Sequence, residues 1–82
     1  MIGGLIEIML PDPGDSTEIE VITVSVAPGD TVTAGTPLME VATDKANADV
    51  EAPADGVIES VGVAEGDIIE PDKVLAILRT SR

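Results

Sequence analysis

Lys45 is the only base in the first 72 residues of an 82-residue chain, and it stands in the run Ala42-Thr43-Asp44-Lys45-Ala46-Asn47 between two apolar segments. Three chemistries are open to such an amine. The first is no chemistry at all: a solvated charge on a polar turn. The second is nucleophilic catalysis, which needs burial or a neighbouring cation to lower the amine pKa. Asp44 beside it and an acidic chain favour the charged ammonium instead. The third is modification by another enzyme, which supplies the activation. The chain then need only hold the amine out at a defined place.

The remaining residues narrow the choice. The chain has no Cys, His, Phe, Tyr or Trp, and four bases against 16 acids give a formal charge of −12. Without imidazole or thiol, neither a Ser-His nor a Cys-His nucleophile pair exists, and a structural zinc site lacks its usual ligands. Asp12, Asp15 and Glu18 do not have calcium-loop spacing. An anionic chain without aromatic platforms does not suit nucleic acid, whose phosphates repel it. No apolar run approaches the roughly 20 residues of a membrane-spanning helix. Neither nucleic acid nor membrane is therefore an expected partner.

A lysine held out in this way needs a scaffold. Val, Ile and Leu make 24 of the 82 residues, enough for an aliphatic core of β-branched side chains suited to strands. Pro- and Gly-rich turns cut the chain into short segments at residues 5–10, 19–26, 31–33, 38–42, 48–52, 57–63, 68–70 and 74–79. In the first, Ile6, Ile8 and Leu10 share a face. In the second, Ile22, Val24 and Val26 share a parity, and the adjacent Val21 and Ile22 suggest a bulge. No segment has room for a helix. Many short strands at close spacing predict an all-β domain, a flattened barrel-sandwich of two small antiparallel sheets, with its core over about residues 5–80 of a single domain 1–82.

The chain also repeats itself. Shifted by 37 residues, Val24-x-Val26-Ala27-x-Gly29-Asp30 overlies Val61-x-Val63-Ala64-x-Gly66-Asp67, and Val32, Leu38, Val41 and Thr43 overlie Ile69, Leu75, Leu78 and Thr80. Two copies are too few for a solenoid. They predict one domain with a pseudo-two-fold axis, with each Gly-Asp glycine at positive φ. The run around Lys45 becomes a hairpin tip, whose counterpart in the second half is the chain end, where Arg82 overlies Lys45.

These residues resemble the lipoyl domains of the acyltransferase components of 2-oxo acid dehydrogenase complexes. The likeness is carried by Leu10-Pro11-Asp12-x-Gly14, Val26-x-x-Gly29-Asp30-x-Val32, Leu38-x-Glu40-Val41-x-Thr43-Asp44-Lys45-Ala46, Val50-x-Ala52-Pro53-x-x-Gly56 and Val63-x-x-Gly66-Asp67. It implies a non-catalytic carrier in which lipoic acid is joined to Lys45 by an amide, with Asp44 and Ala46 marking the attachment turn. It implies four partners: a lipoate ligase or lipoyl transferase, a thiamine-dependent 2-oxo acid dehydrogenase component, an acyltransferase catalytic domain and a dihydrolipoyl dehydrogenase. The front segment, Ile6 to Gly14 followed by acids, resembles pyruvate-type bacterial domains. An isolated monomer excised from a longer acyltransferase is expected, cytoplasmic in a bacterium or in the mitochondrial matrix of a eukaryote. One departure is visible: many members have Glu three residues before the lysine, where this chain has Ala42.

Other readings of the same tip remain. Biotin carriers share the fold but flank the lysine with Met on both sides. Met39, on the preceding strand, suits the core instead. The carrier of the glycine-cleavage system is longer and lacks this Asp-Lys-Ala context. An unmodified barrel-sandwich used for protein interaction would have no need of the tip.

Overall fold

Each of the eight predicted segments contains a strand. A computed structural model describes residues 3–10, 18–43 and 46–80 of the chain. It contains β1 (Leu5–Ile8), β2 (Ile19–Val24), β3 (Thr31–Val32), β4 (Pro37–Ala42), β5 (Asn47–Glu51), β6 (Gly56–Val61), β7 (Ile68–Ile69) and β8 (Ala76–Thr80). They form two four-stranded antiparallel sheets, in the orders β1-β8-β6-β3 and β5-β4-β2-β7. Each sheet takes two strands from each half of the chain, so neither half closes without its partner.

The core is aliphatic throughout. Ile19, Val21, Leu38, Val41, Leu75 and Leu78 are fully buried, and Met39 packs among them as expected. The predicted face of β1 holds: Ile8 and Leu10 are buried and Ile6 packs against them. In β2 the expected inward set is only partly right. Ile19 and Val21 point inward first, and the register slips between Val21 and Thr23. The slip is a bulge, which adds one residue and so reverses parity. Val24 and Val26 then face the core in place of the odd-numbered residues, while Ile22 sits half-buried at the bulge itself.

The pseudo-two-fold symmetry reaches single hydrogen bonds. The bulge in β2 has its mate between Ile58 and Ser60 in β6. Gly29 N donates to Ile58 O at 2.8 Å, and Gly66 N donates to Val21 O at 2.7 Å. Asp30 Oδ2 accepts from Ala27 N at 2.9 Å, and Asp67 Oδ2 accepts from Ala64 N at 2.9 Å. Gly29 and Gly66 have φ of 96° and 91°, the left-handed turn that a side chain would strain. Every one of these pairs is offset by the same 37 positions.

Candidate functional site

The connection between β4 and β5 is as short as a hairpin allows. Ala42 pairs with Asn47, and Thr43 N donates to Ala46 O at 3.0 Å. The Thr43 hydroxyl doubles this closure: Oγ1 donates to Ala46 O at 2.8 Å and takes up Ala46 N at 3.3 Å. Only positions 44 and 45 remain between the clamped residues. Asp44 and Lys45 themselves lie outside the described residues. Ala46 and Asn47, which follow them, are exposed. Asn47 Nδ2 donates to Glu40 Oε2 at 3.1 Å, tying the first residue of β5 back across β4.

The same clamp recurs at the end of the other sheet. Thr80 N donates to Gly4 O at 2.8 Å, and Gly4 N donates to Thr80 Oγ1 at 3.0 Å. The two clamps lie at opposite ends of the molecule. From its Glu20 end beside Ala42, β2 runs away from the hairpin and leads through residues 25–30 into β3. There β3 pairs with the Gly56–Val57 end of β6, which is the end that meets Thr80 and Arg79.

The outer surface beside the hairpin is acidic. Glu40 lies directly opposite Asp49, and Glu20 lies opposite Ala42. A carboxylate at position 42 would face Glu20 across the strands, and like charges so placed repel. Ala42 therefore fits its neighbours, which gives the departure from the common pattern a local physical reason. The outer face of the other sheet differs: there Leu5 and Val57 flank Arg79, which makes a 3.4 Å ion pair with Glu59.

Among the described residues no three His, Cys, Asp or Glu side chains converge as a metal site, and no helix is long and apolar enough to cross a membrane. The hydroxyl clamp of Thr43 is the structural detail beside the candidate site that sequence reasoning missed. The overlay of Thr43 on Thr80 was its only trace in the sequence.

A barrel-sandwich that brackets a lysine in a two-residue hairpin defines the class of protein: a domain built for covalent attachment. The sequence pattern of the family described as "Biotin-requiring enzyme", the biotin/lipoyl attachment family, matches residues 6–78, and the chain belongs to it. It is 41% identical over 75 residues to the dihydrolipoyllysine-residue acetyltransferase component of the pyruvate dehydrogenase complex of Cupriavidus necator, covering 92% of this chain and 14% of that protein. It is 35% identical over 75 residues to the succinyltransferase component of the 2-oxoglutarate dehydrogenase complex of Escherichia coli K12, covering 90% of this chain and 18% of that protein. The solution structure of the lipoyl domain of the Azotobacter vinelandii 2-oxoglutarate dehydrogenase complex superposes with a TM-score of 0.74 at 32% identity, covering 89% of this chain and 94% of that one. The chain thus spans about one-seventh of the first of these curated relatives. It is a lipoyl-type carrier domain with no catalysis of its own, in a family whose lipoyl members bear lipoic acid on a lysine.

Proposed function

We propose that Lys45 is the lysine that carries lipoic acid, and that the domain serves a pyruvate dehydrogenase complex. The observation that carries the first part is the clamp. Thr43 and Ala46 are fixed to each other by three hydrogen bonds, and Asp44-Lys45 is what the chain places between them. An amide-linked group fits this end of the molecule because the flanking Ala46 and Asn47 are exposed and leave the approach open. When bound, the group supplies a redox-active disulfide that carries acyl groups and electrons.

The chain's own residues contribute position and charge. The clamp limits how far the tip can wander, so an enzyme that recognises Asp44 and Ala46 meets the amine at a fixed offset. Glu20, Glu40 and Asp49 surround the approach with negative charge, which steers the tip toward basic channel mouths and away from other copies of the domain. Acylation of Lys45 removes one positive charge, taking −12 to −13. Tethering raises the effective concentration of the arm at each active site within reach. The enzymes we place within that reach are the ligase or transferase, the thiamine-dependent dehydrogenase component, the acyltransferase domain and the dihydrolipoyl dehydrogenase. The compartment we propose is the bacterial cytoplasm.

Intact mass after incubation with lipoate, ATP and a lipoate ligase tests the site. One lipoyl adduct is expected on the wild-type chain and none on Lys45→Ala. Inserting a residue between Asp44 and Lys45 should also abolish modification while the fold survives, because the insertion moves the amine out of register. A biotin adduct, or no adduct where a control domain is modified, overturns the reading. Support for pyruvate comes from the pyruvate-complex relative at 41% identity. The lipoylated domain should be reductively acylated faster by a pyruvate dehydrogenase component than by a 2-oxoglutarate one, and the reverse order removes the assignment.

A further inference from the structure

β1 and β5 are each an edge strand of one of the two sheets and line one groove together, with Ile8 and Val50 as symmetry mates. Between them runs a groove of about 390 Å³ lined by residues 6–9 and 49–53. Its floor is apolar: Ile8, Val50 and Ala52 are buried there, and Met9 is left 39% exposed. Its rim is anionic, with Glu7, Asp49 and Glu51 all exposed and no base among the lining residues.

We infer that this groove takes up an extended cationic segment of a partner protein as an added strand on β5. The backbone of β5 is ready for one. Thr43 N bonds Ala46 O, and Ala52 N bonds Thr36 O, so the even-numbered residues of this stretch turn their backbone groups toward β4. The N–H and C=O groups of Asn47, Asp49 and Glu51 therefore point out of the sheet edge toward the groove. Strand addition would satisfy them in the way exposed edges recruit peptides.

Pleating then dictates the sequence of the occupant. Side chains opposite Asp49 and Glu51 share their outer face and meet carboxylates, so they are Lys or Arg. Side chains between them point inward, onto Val50, Ile8 and Met9, so they are apolar. A second copy of this chain is the wrong occupant. Its own β5 would bring carboxylates against Asp49 and Glu51, and like charges directly opposite destabilise a ladder. The acids thus block self-pairing of an open edge and select a strand of alternating basic and apolar residues. Asp49 is four residues beyond position 45, roughly 13 Å along an extended chain. A protein docked here would stand beside the tip. That it is one of the enzymes acting on the tip rests on the carrier reading, whereas the strand addition does not.

The test titrates the ¹⁵N-labelled 82-residue chain with the capped peptide Lys-Val-Lys-Val-Lys-Val-Lys. Shift changes concentrated at residues 6–9 and 47–53 are expected, with amide exchange at Asp49 and Glu51 slowed about tenfold near saturation. The double change Asp49→Asn, Glu51→Gln should weaken binding roughly fivefold. Methylating the backbone nitrogens of the two inner lysines, the third and fifth residues, should abolish it by removing ladder donors. Equal binding of the methylated peptide, or shifts spread evenly over Glu20, Glu65 and Glu70, would mean diffuse charge attraction and overturn the proposal. So would no binding at millimolar peptide, or dimerisation of the free chain through β5. Lys45→Ala should bind the peptide as the wild type does, so the groove and the attachment site can fail separately.

Discussion

At one end of the molecule Thr43 clamps Ala46, three residues away; at the other Thr80 clamps Gly4, 76 residues away. The geometry of the two clamps is nearly the same, hydroxyl and backbone both engaged. Their difference lies in what the chain places between the clamped residues. At the hairpin it places Asp44-Lys45, and at the other end it places no connecting turn. The clamp is therefore a way of ending a sheet in this fold and carries no function by itself. On the proposed reading, two residues distinguish the attachment end from its equivalent.

The comparison extends inward, where the largest effects are expected. Leu38 and Leu75 are symmetry mates, both with 0% exposure. Leu38→Ala and Leu75→Ala should each destabilise the domain by about 2–5 kcal/mol, through lost burial and an unfilled cavity. For a domain this small that is a large share of the total. Urea denaturation of both should give costs within about 0.5 kcal/mol of each other, the margin within which independent sites add. A wide gap would show that the halves share topology without sharing energetics.

A smaller effect belongs to the Gly-Asp turns. Asp30 and Asp67 each hold the backbone N–H three residues earlier at 2.9 Å. Asp30→Ala and Asp67→Ala should each cost at most about 1 kcal/mol, since the bonds are exposed and compete with water. Equal thermal midpoints for the two variants would extend the symmetry to the turns. Unequal ones would single out whichever turn carries additional strain.

The symmetry also separates what could be read in the sequence from what could not. The halves were legible because Gly29-Asp30 and Gly66-Asp67 answer to a backbone demand, positive φ, that few residues meet. The pairing of β1 with β5 as mates was not legible. Their offset is 42 positions where the rest use 37, and only Ile8 and Val50 are deeply buried in them, so little constrains the remaining side chains to match. The glycine at 56 was equally opaque. Its mate is Ile19, yet a Cβ at 56 would collide with the Arg79 carbonyl oxygen. That approach belongs to the packing of β6 on β8 and has no local signature. At the proposed site, Asp44, Lys45 and Ala46 are assigned from motif and resemblance, and Asp44 and Lys45 lie outside the described residues. The Thr43 clamp was not legible, because a threonine just past a strand end is ordinary and its hydroxyl geometry depends on where Ala46 comes to rest.

The smallest change in stability tests the comparison most sharply. Thr43→Val and Thr80→Val keep the shape of the side chain and remove only the hydroxyl, so each should cost about 0.5–1 kcal/mol. If the clamps serve only to end the sheets, neither variant affects more than stability. The Thr43 clamp adjoins positions 44 and 45 in the chain, however, whereas the Thr80 clamp lies at the far end. Thr43→Val should therefore slow lipoylation of Lys45 under conditions where the domain stays fully folded, and Thr80→Val should not. Thr43→Ser keeps the donor and the acceptor and should restore the rate. Equal lipoylation rates for Thr43→Val and Thr80→Val would mean that the ligase imposes its own geometry on the tip. The two ends would then differ only in the presence of an amine, and the acidic surface beside the hairpin would have to supply whatever recognition exceeds Asp44-Lys45-Ala46 itself.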